Sequence, residues 1–529
     1  MVLCYNEVMK NTISTVTIST TEYEALKSEN AELLQKVNWL MEQFRLAQHK
    51  RFGASSEKSE YNQLNIFNEA EATADKTAAE PELIEIEKHY RKRKRAAVDR
   101  LPEDLPVEVI EYKLPESERI CPKCECALHV MNYERRRELV FIPASAKIRE
   151  HVREVCACRN CNKNSDSVPI IKAEMPEPVI FKSFASPEAV AHIMYQKFVM
   201  HSPLYRQEQD WNRFGIMLSR QTMSNWLIKA TEDWLEPIYN RLHKLLLARN
   251  VLHADESTLQ VLHEPGKTAQ SKSYMWLYRT SGYTENPIVL YDYQPGRHAK
   301  YPEAFLANFT GYLHTDGYDG YHKLPEDITV CGCWAHVRRY FDEALKTIPE
   351  KERVGSTALI GKQYCDKLFA LERDFAALSV ENRFSERKKQ SKPLVDAFFA
   401  WVESVQILPK SLVGKAIGYA QSQRKYLERF LLDGRIEISN NRAERSIKPF
   451  VISRKNFLFA NTPRGAKASA VMYSIIETAK ENGLNPYEYL VHIFKTAPNL
   501  TAEELTSAES LLPWSAALPV SVQSPKKAG

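Results

Sequence analysis

The stretch NVLHADESTLQVLH, residues 250–263, is where the chain changes character. Residues 187–247 upstream carry the spacing of helices. From Val251 apolar and polar side chains alternate instead, the period of a strand. Asp255 follows a short, mostly apolar run, so a strand here delivers a carboxylate at its end. SYMWLYRTS (273–281), PIVLYDYQ (287–294) and GYLHTDGYDGY (311–321) continue the pattern, with a helical AKYPEAFLANF (299–309) before the last of them. ITVCGCWA (328–335) and a helical AHVRRYFDEALK (335–346) follow. Three strands, a helix, a fourth strand, then strand and helix predict a mixed α/β sheet. Residues 350–432 read as helix throughout, like an inserted subdomain. Helix returns over 439–495, and 500–529 trail off in Pro, Ser and Ala and are expected to be disordered.

The totals fit a soluble, multidomain chain. It has 529 residues, 44% hydrophobic and 26% charged, with a net charge of +5. That charge is small for the length, so any case for nucleic acid must rest on local clusters. No run approaches the ~20 apolar residues of a membrane helix, and the N-terminus lacks the pattern of a secretory signal. The ten cysteines therefore read as thiols or metal ligands, and the cytoplasm is the expected location.

Residues 21–47 carry heptad spacing at Leu26, Asn30, Leu33, Val37, Leu40 and Phe44, a short coiled coil able to support a homo-oligomer. A single amphipathic helix is the alternative. A linker follows, then a basic run with six cations between Lys88 and Arg95. CPKC (121–124) and CRNC (158–161) are paired Cys-x-x-Cys knuckles; Cys121, Cys124, Cys158 and Cys161 are expected to hold a structural Zn²⁺. Cys126 and Cys156 lie in the same knuckles. LYRQEQDWNRFGIMLSRQTMSNWLIKA (204–230) has the rhythm of a helix–turn–helix. It turns at Gly215, is capped at Ser219, and offers Arg220, Gln221 and Asn225 to a groove with Met223, Trp226 and Leu227 behind. Most helical hairpins bind nothing, so alone this is weak.

Glu444 poses the central question. It lies among Arg442, Arg445 and Lys448 in a basic stretch that also holds Arg454 and Lys455. A carboxylate there is either a salt-bridge partner or a metal ligand beside a phosphate track. Asp255 sits in the first predicted strand and Asp316 ends the fourth, both after short apolar runs that would let the side chains emerge at a strand's end, and Glu444 would join them from a helix. Magnesium takes a few carboxylate oxygens, and two such ions can promote phosphodiester transfer. Glu256 and Asp319 compete for these roles. Successive strand residues face opposite sides, so only one of Asp255 and Glu256 can face the site. Asp319 is the second choice for the middle acid.

HADEST, LHTDGYDGY, CWAHVRRYF and SNNRAERSIKPFVISRKNFLF…YSIIETAKENGLNPYEYL resemble transposases of the insertion sequence 66 family. RFGASSEK after the coiled coil, the paired knuckles and the helical hairpin are similar to that family's other parts, and the likeness runs from about residue 20 to 495. It implies a DDE-type transposase with an RNase H-like catalytic core and a Mg²⁺- or Mn²⁺-binding triad at Asp255, Asp316 and Glu444. It also implies site-lining or DNA-contacting roles for His336, Arg338 and Arg339, and backbone contacts from Arg454 and Lys455. Ser439 stands where an acid is usual and Ser257 where Thr is usual; neither removes a presumed ligand. The implied partners are double-stranded DNA, as element ends and target, further copies of the chain, and small accessory proteins encoded nearby. The domains expected are a coiled-coil helix (1–52), linker (53–105), zinc module (106–170), helical DNA-binding segment (171–248), core (249–349 and 433–495) split by an insertion (350–432), and a tail (496–529). A DNA-binding regulator, or a nuclease of the same fold that never joins strands, are the alternatives.

Overall fold

The alternation that begins at Val251 becomes the central strand of a five-stranded sheet in the computed structural model. The strands are β1 (Val251–Gln260), β2 (Lys272–Thr280), β3 (Val289–Gln294), β4 (Gly311–His314) and β5 (Ile328–Cys331). Their order is β3-β2-β1-β4-β5, with β1, β2 and β3 an antiparallel meander and β4 and β5 parallel to β1. Residues 251–254 are buried because β1 is central and covered on both faces; residues 255–258 are half-buried. The strand runs on to Gln260, with Leu259 buried again, so Asp255 lies in the middle of β1 and not at its end, where the sequence pattern predicts it.

Residues 19–52, 146–157 and 170–524 are described. The chain divides into two units, residues 1–54 with 151–529 and residues 55–150. Of the second, residues 146–150 are described, as exposed coil. The linker, the basic run at Lys88–Arg95 and the four knuckle cysteines Cys121, Cys124, Cys158 and Cys161 lie outside the described residues.

In the first unit, α1 (Thr20–Phe52) is one long helix whose seam residues Leu26, Leu33, Val37 and Leu40 are exposed. Helices α2 (Pro187–Phe198), α3 (Leu204–Arg213), α4 (Arg220–Ala230) and α5 (Glu236–Leu247) precede the sheet. The short α6 (Lys300–Phe305) links β3 to β4, and α7 (Trp334–Lys346) follows β5. Helices α8 (Thr357–Asp374), α9 (Val380–Glu386), α10 (Lys392–Ser404) and α11 (Leu412–Leu427) form the region read as an insertion. Its apolar side, with Phe398, Phe399 and Val402, packs around Trp334 of α7 in a core of its own. Finally α12 (Asn441–Phe457) lies on β1, α13 (Pro463–Glu481) on β3, and α14 (Pro486–Thr496) on α2.

Helix α13 also covers the sheet's edge. Tyr291 N donates to Ser474 Oγ (2.7 Å) and Val289 N to Thr478 Oγ1 (3.0 Å), so edge amides that would otherwise pair with a stray strand are satisfied.

The expectation of a disordered tail is corrected. Leu511, Leu512 and Val522 are buried, Tyr489 Oη donates to Leu511 O (2.6 Å), and Asn485 N donates to Val522 O (2.8 Å). A few well-placed apolar side chains dock this segment without any regular period, which is why periodicity misses it.

Candidate active site

Three elements deliver the predicted acids to one cleft of about 290 Å³, lined by Asp255, Asp316, His336, Arg339, Glu444, Ile447 and Lys448. Asp255 comes from β1, with Oδ1 accepting the Glu256 N–H (2.8 Å). Asp316 lies two residues past β4, its Oδ1 accepting the Tyr318 N–H (3.0 Å). That turn needs Gly317, whose φ is +92° and whose missing Cβ would stand 3.0 Å from Tyr419 Oη. Tyr419, on α11, donates to Asp316 O (2.9 Å), so the insertion braces the second acid. Glu444 lies in the first turn of α12.

The competitors are placed elsewhere. Glu256 turns to the other side of β1, as strand alternation requires, where Arg297 Nε (2.8 Å) and Tyr321 Oη (2.6 Å) donate to it. Asp319 is exposed and pairs with Lys323 (3.0 Å).

The cleft concentrates negative charge. Burial pushes the Asp255 carboxyl well above its ordinary range, and Glu256, Asp316 and Glu444 push the same way. Glu444 has a cationic neighbour: Arg339 Nη2 donates to its Oε2 (3.1 Å). His336 Nε2 stands 3.7 Å from Glu444 Oε1, and burial lowers the affinity of this ring for a proton despite the nearby carboxylate. Oε1 itself is buried and accepts no hydrogen bond. A cluster of carboxylates with an orphaned buried oxygen suits a divalent cation.

The cations of the basic stretch divide into two sets. Arg445 and Lys448 are exposed, and Lys448 lines the cleft. Arg442 is held by Glu437 (Nε–Oε1 3.0 Å), Arg338 by Asp366 (2.5 Å), and Arg454 by the hydroxyl of Thr258 on β1 (2.7 Å). Lys455 is exposed on the last turn of α12. The hairpin matches its prediction closely. Gly215 has φ +75°, Ser219 Oγ caps α4 by accepting Thr222 N–H (3.1 Å), and Arg220, Gln221 and Asn225 are exposed over buried Met223, Trp226 and Leu227.

A buried network that sequence reasoning missed fastens α12 to β1. Asn440 is fully buried; its Nδ2 donates to Ala254 O (2.8 Å), its Oδ1 lies 3.0 Å from His253 Nδ1, and its N–H donates to Cys333 Sγ (3.1 Å). His253 Nε2 pairs with Glu437 Oε2 (2.7 Å). Burial opposes the Glu437 charge, yet His253 and Arg442 outweigh it and hold this carboxyl well below its usual range. The first acid and the helix of the third are thus clamped within a few residues of each. The signal was present: His253 shares the strand face of Asp255 at i,i+2, and Asn440 heads the helix of Glu444.

The sequence profile described as Transposase IS66 family matches residues 182–468, more than half of the chain. The chain belongs to the IS66 family of transposases. Further IS66 profiles match the zinc-finger binding domain at 118–162 and the C-terminal element at 474–514, and one described as Transposase C of IS166 homeodomain matches 39–110. The zinc-finger match covers all four knuckle cysteines, so this IS66 transposase carries the zinc-finger domain of its family. Uncharacterized protein y4jD of Sinorhizobium fredii is 30% identical over 78% of this chain and 81% of its own length. Uncharacterized protein y4hP of the same organism is also 30% identical, over 80% of this chain and 77% of its own. A Drosophila P element transposase strand transfer complex aligns with a TM-score of 0.31 at 12% identity, covering 56% of this chain and 92% of that one.

Proposed function

We propose that this IS66 transposase cuts the ends of a mobile element and joins them to target DNA, using Asp255, Asp316 and Glu444 as a DDE triad in an RNase H-like core. The observation that carries this reading is the shared cleft: acids 61 and 128 positions apart in sequence (316 − 255 and 444 − 316) converge there from the middle of β1, the turn after β4 and the first turn of α12. The sheet order, with a meander followed by parallel strands, supports the fold assignment. The core then comprises residues 249–349 and 433–495, with 350–432 inserted between them.

Magnesium or manganese ions held by the three acids would activate the attacking oxygen and stabilise the leaving one, first for water and then for the freed 3′-hydroxyl. The chain's own groups do the rest. Lys448, Arg445 and Arg339 would take phosphates entering the cleft, and Lys455 would extend that track along α12. Arg220 and Gln221 present the exposed face of the hairpin to DNA, with the zinc module and basic run adding phosphate contacts that supply most of the affinity. The exposed seam of α1 fits a second copy of the chain, and small accessory proteins encoded nearby are further partners. Among the described residues no helix is long and apolar enough to cross a membrane, in keeping with an enzyme that meets DNA in the bacterial cytoplasm.

The test is an incubation of the full chain with labelled element ends and Mg²⁺. Nicked ends bearing a 3′-hydroxyl, followed by joined strands, are the expected products. Nicking without joining would leave a nuclease, and binding without any cutting a regulator. A separate expectation concerns zinc: purified protein holds about one ion per chain at the knuckles, and Cys158→Ser loses it. Elemental analysis that finds equal zinc in both would remove the assignment of that cysteine.

A further inference from the structure

Glu444 uses its two oxygens differently. Oε2 takes the Arg339 guanidinium, while Oε1 is buried and accepts no hydrogen bond. The atom facing Oε1 is His336 Nε2 at 3.7 Å, too distant for a hydrogen bond. The other ring nitrogen, Nδ1, is also buried without a partner. Behind them lies the Cys333 sulfur, and one donor atom from each of Cys333, His336 and Glu444 falls within 4.8 Å of the others. Donors around a single ion with bonds of about 2.1 Å stand roughly 3–4 Å apart. A ring nitrogen and an orphaned carboxylate oxygen at this separation have the spacing of neighbours in one coordination shell.

We propose that His336 is a metal ligand that shares an ion with Glu444, and that its nitrogen, backed by the Cys333 sulfur, makes this position favour a first-row transition-metal dication over Mg²⁺. The inference rests on the reading of Glu444 as a metal ligand. Its chemistry is one of donor type. Magnesium takes oxygen ligands and sheds water reluctantly, whereas imidazole, and a cysteine that gives up its proton on binding, favour transition metals. The rival role for His336 is that of a second cation beside Glu444, like Arg339. The two roles predict opposite signs. Removing a competing cation would tighten every dication at Glu444; removing a nitrogen ligand would loosen the transition metal and spare Mg²⁺.

The experiment uses the full chain with its zinc module loaded and Mn²⁺ as the probe. Free Mn²⁺ is counted by electron paramagnetic resonance, and Mg²⁺ affinity is taken from competition. His336→Gln is expected to weaken Mn²⁺ binding about tenfold or more while Mg²⁺ changes by less than about twofold. His336→Asp, an oxygen donor at the same place, is expected to retain both ions with the preference moved toward Mg²⁺. This second variant also guards against a misfolded first one. Tighter or unchanged Mn²⁺ binding in His336→Gln, with Glu444→Gln still abolishing binding, overturns the ligand role of His336. If Glu444→Gln also leaves Mn²⁺ binding unchanged, the underlying reading of Glu444 falls instead.

Discussion

Asp255→Asn is expected to lower nicking of element ends by about three orders of magnitude or more while raising the thermal stability of the cation-free protein. The loss of cutting follows from removing a charged oxygen ligand at the reacting centre; a thousandfold corresponds to about 4 kcal/mol of barrier. The gain in stability follows from the electrostatics of the cleft. Burial and the carboxylates of Glu256, Asp316 and Glu444 raise the Asp255 carboxyl well above its ordinary range. The folded chain therefore binds this proton more tightly than the unfolded chain does. Stability contributed by the group is full below the unfolded value and is lost as pH rises through the raised folded value. At neutral pH a charged Asp255 is a liability unless a cation offsets it. Asparagine cannot ionise, so the variant should melt higher than wild type at pH 8 and almost level with it near pH 4. Mg²⁺ should narrow the gap by stabilising the wild type alone. Melts at the two pH values, with and without Mg²⁺, check the stability half; a gel assay of nicking beside a DNA-binding titration checks the other. A variant that still nicks, or that melts no higher than wild type at pH 8, would sink the corresponding half. Glu444→Ala should lose cutting to a similar degree.

Much of the site was legible because its logic is local. Asp255 lies in a strand that alternation marks and Asp316 just past another, and the hairpin is marked by Gly215, Ser219 and the apolar face of α4. The unreadable part was pairing. Glu444 lies among Arg442, Arg445 and Lys448, yet its guanidinium partner is Arg339, 105 positions earlier. Arg442 instead answers to Glu437, and Arg454 to Thr258, 196 positions away. Neighbours in sequence point from different sides of a helix, so a run of charges states what is available without stating what meets. The same reasoning explains the missed clamp at Asn440 and His253. Both residues were visible in the motifs, but a buried hydrogen bond across 187 positions becomes evident only once β1 and α12 are side by side.

Arg387→Ala should destabilise the fold by about 3–5 kcal/mol, although the residue lies far in sequence from every acid of the triad. Its guanidinium is fully buried. Nη1 donates to Phe430 O (2.9 Å) and Asp433 O (2.8 Å), Nη2 donates to Ile436 O (2.8 Å), and a bidentate pair with Glu372 (2.8 and 2.6 Å) neutralises the charge. These carbonyls belong to the strap that leads from α11 to Glu437, Asn440 and Glu444. Alanine would leave the Glu372 carboxylate with no guanidinium and strip the Phe430 and Ile436 carbonyls of this donor, while Asp433 O would keep only the Ile436 N–H (3.2 Å). The strap should loosen first, since nearby Arg383 holds it only at Gly434 O (3.0 Å). Limited proteolysis is expected to cut the variant between 430 and 440 faster than wild type, and its melting temperature should fall. The double variant Arg387→Met with Glu372→Met should recover part of the loss, because removing both charges costs less than stranding one. Cutting should decline along with strap order, as the clamp at Asn440 is the continuation of the same segment. A single variant that melts with wild type would mean that this buried pair contributes nothing, and that the third acid is held by the Asn440 network alone.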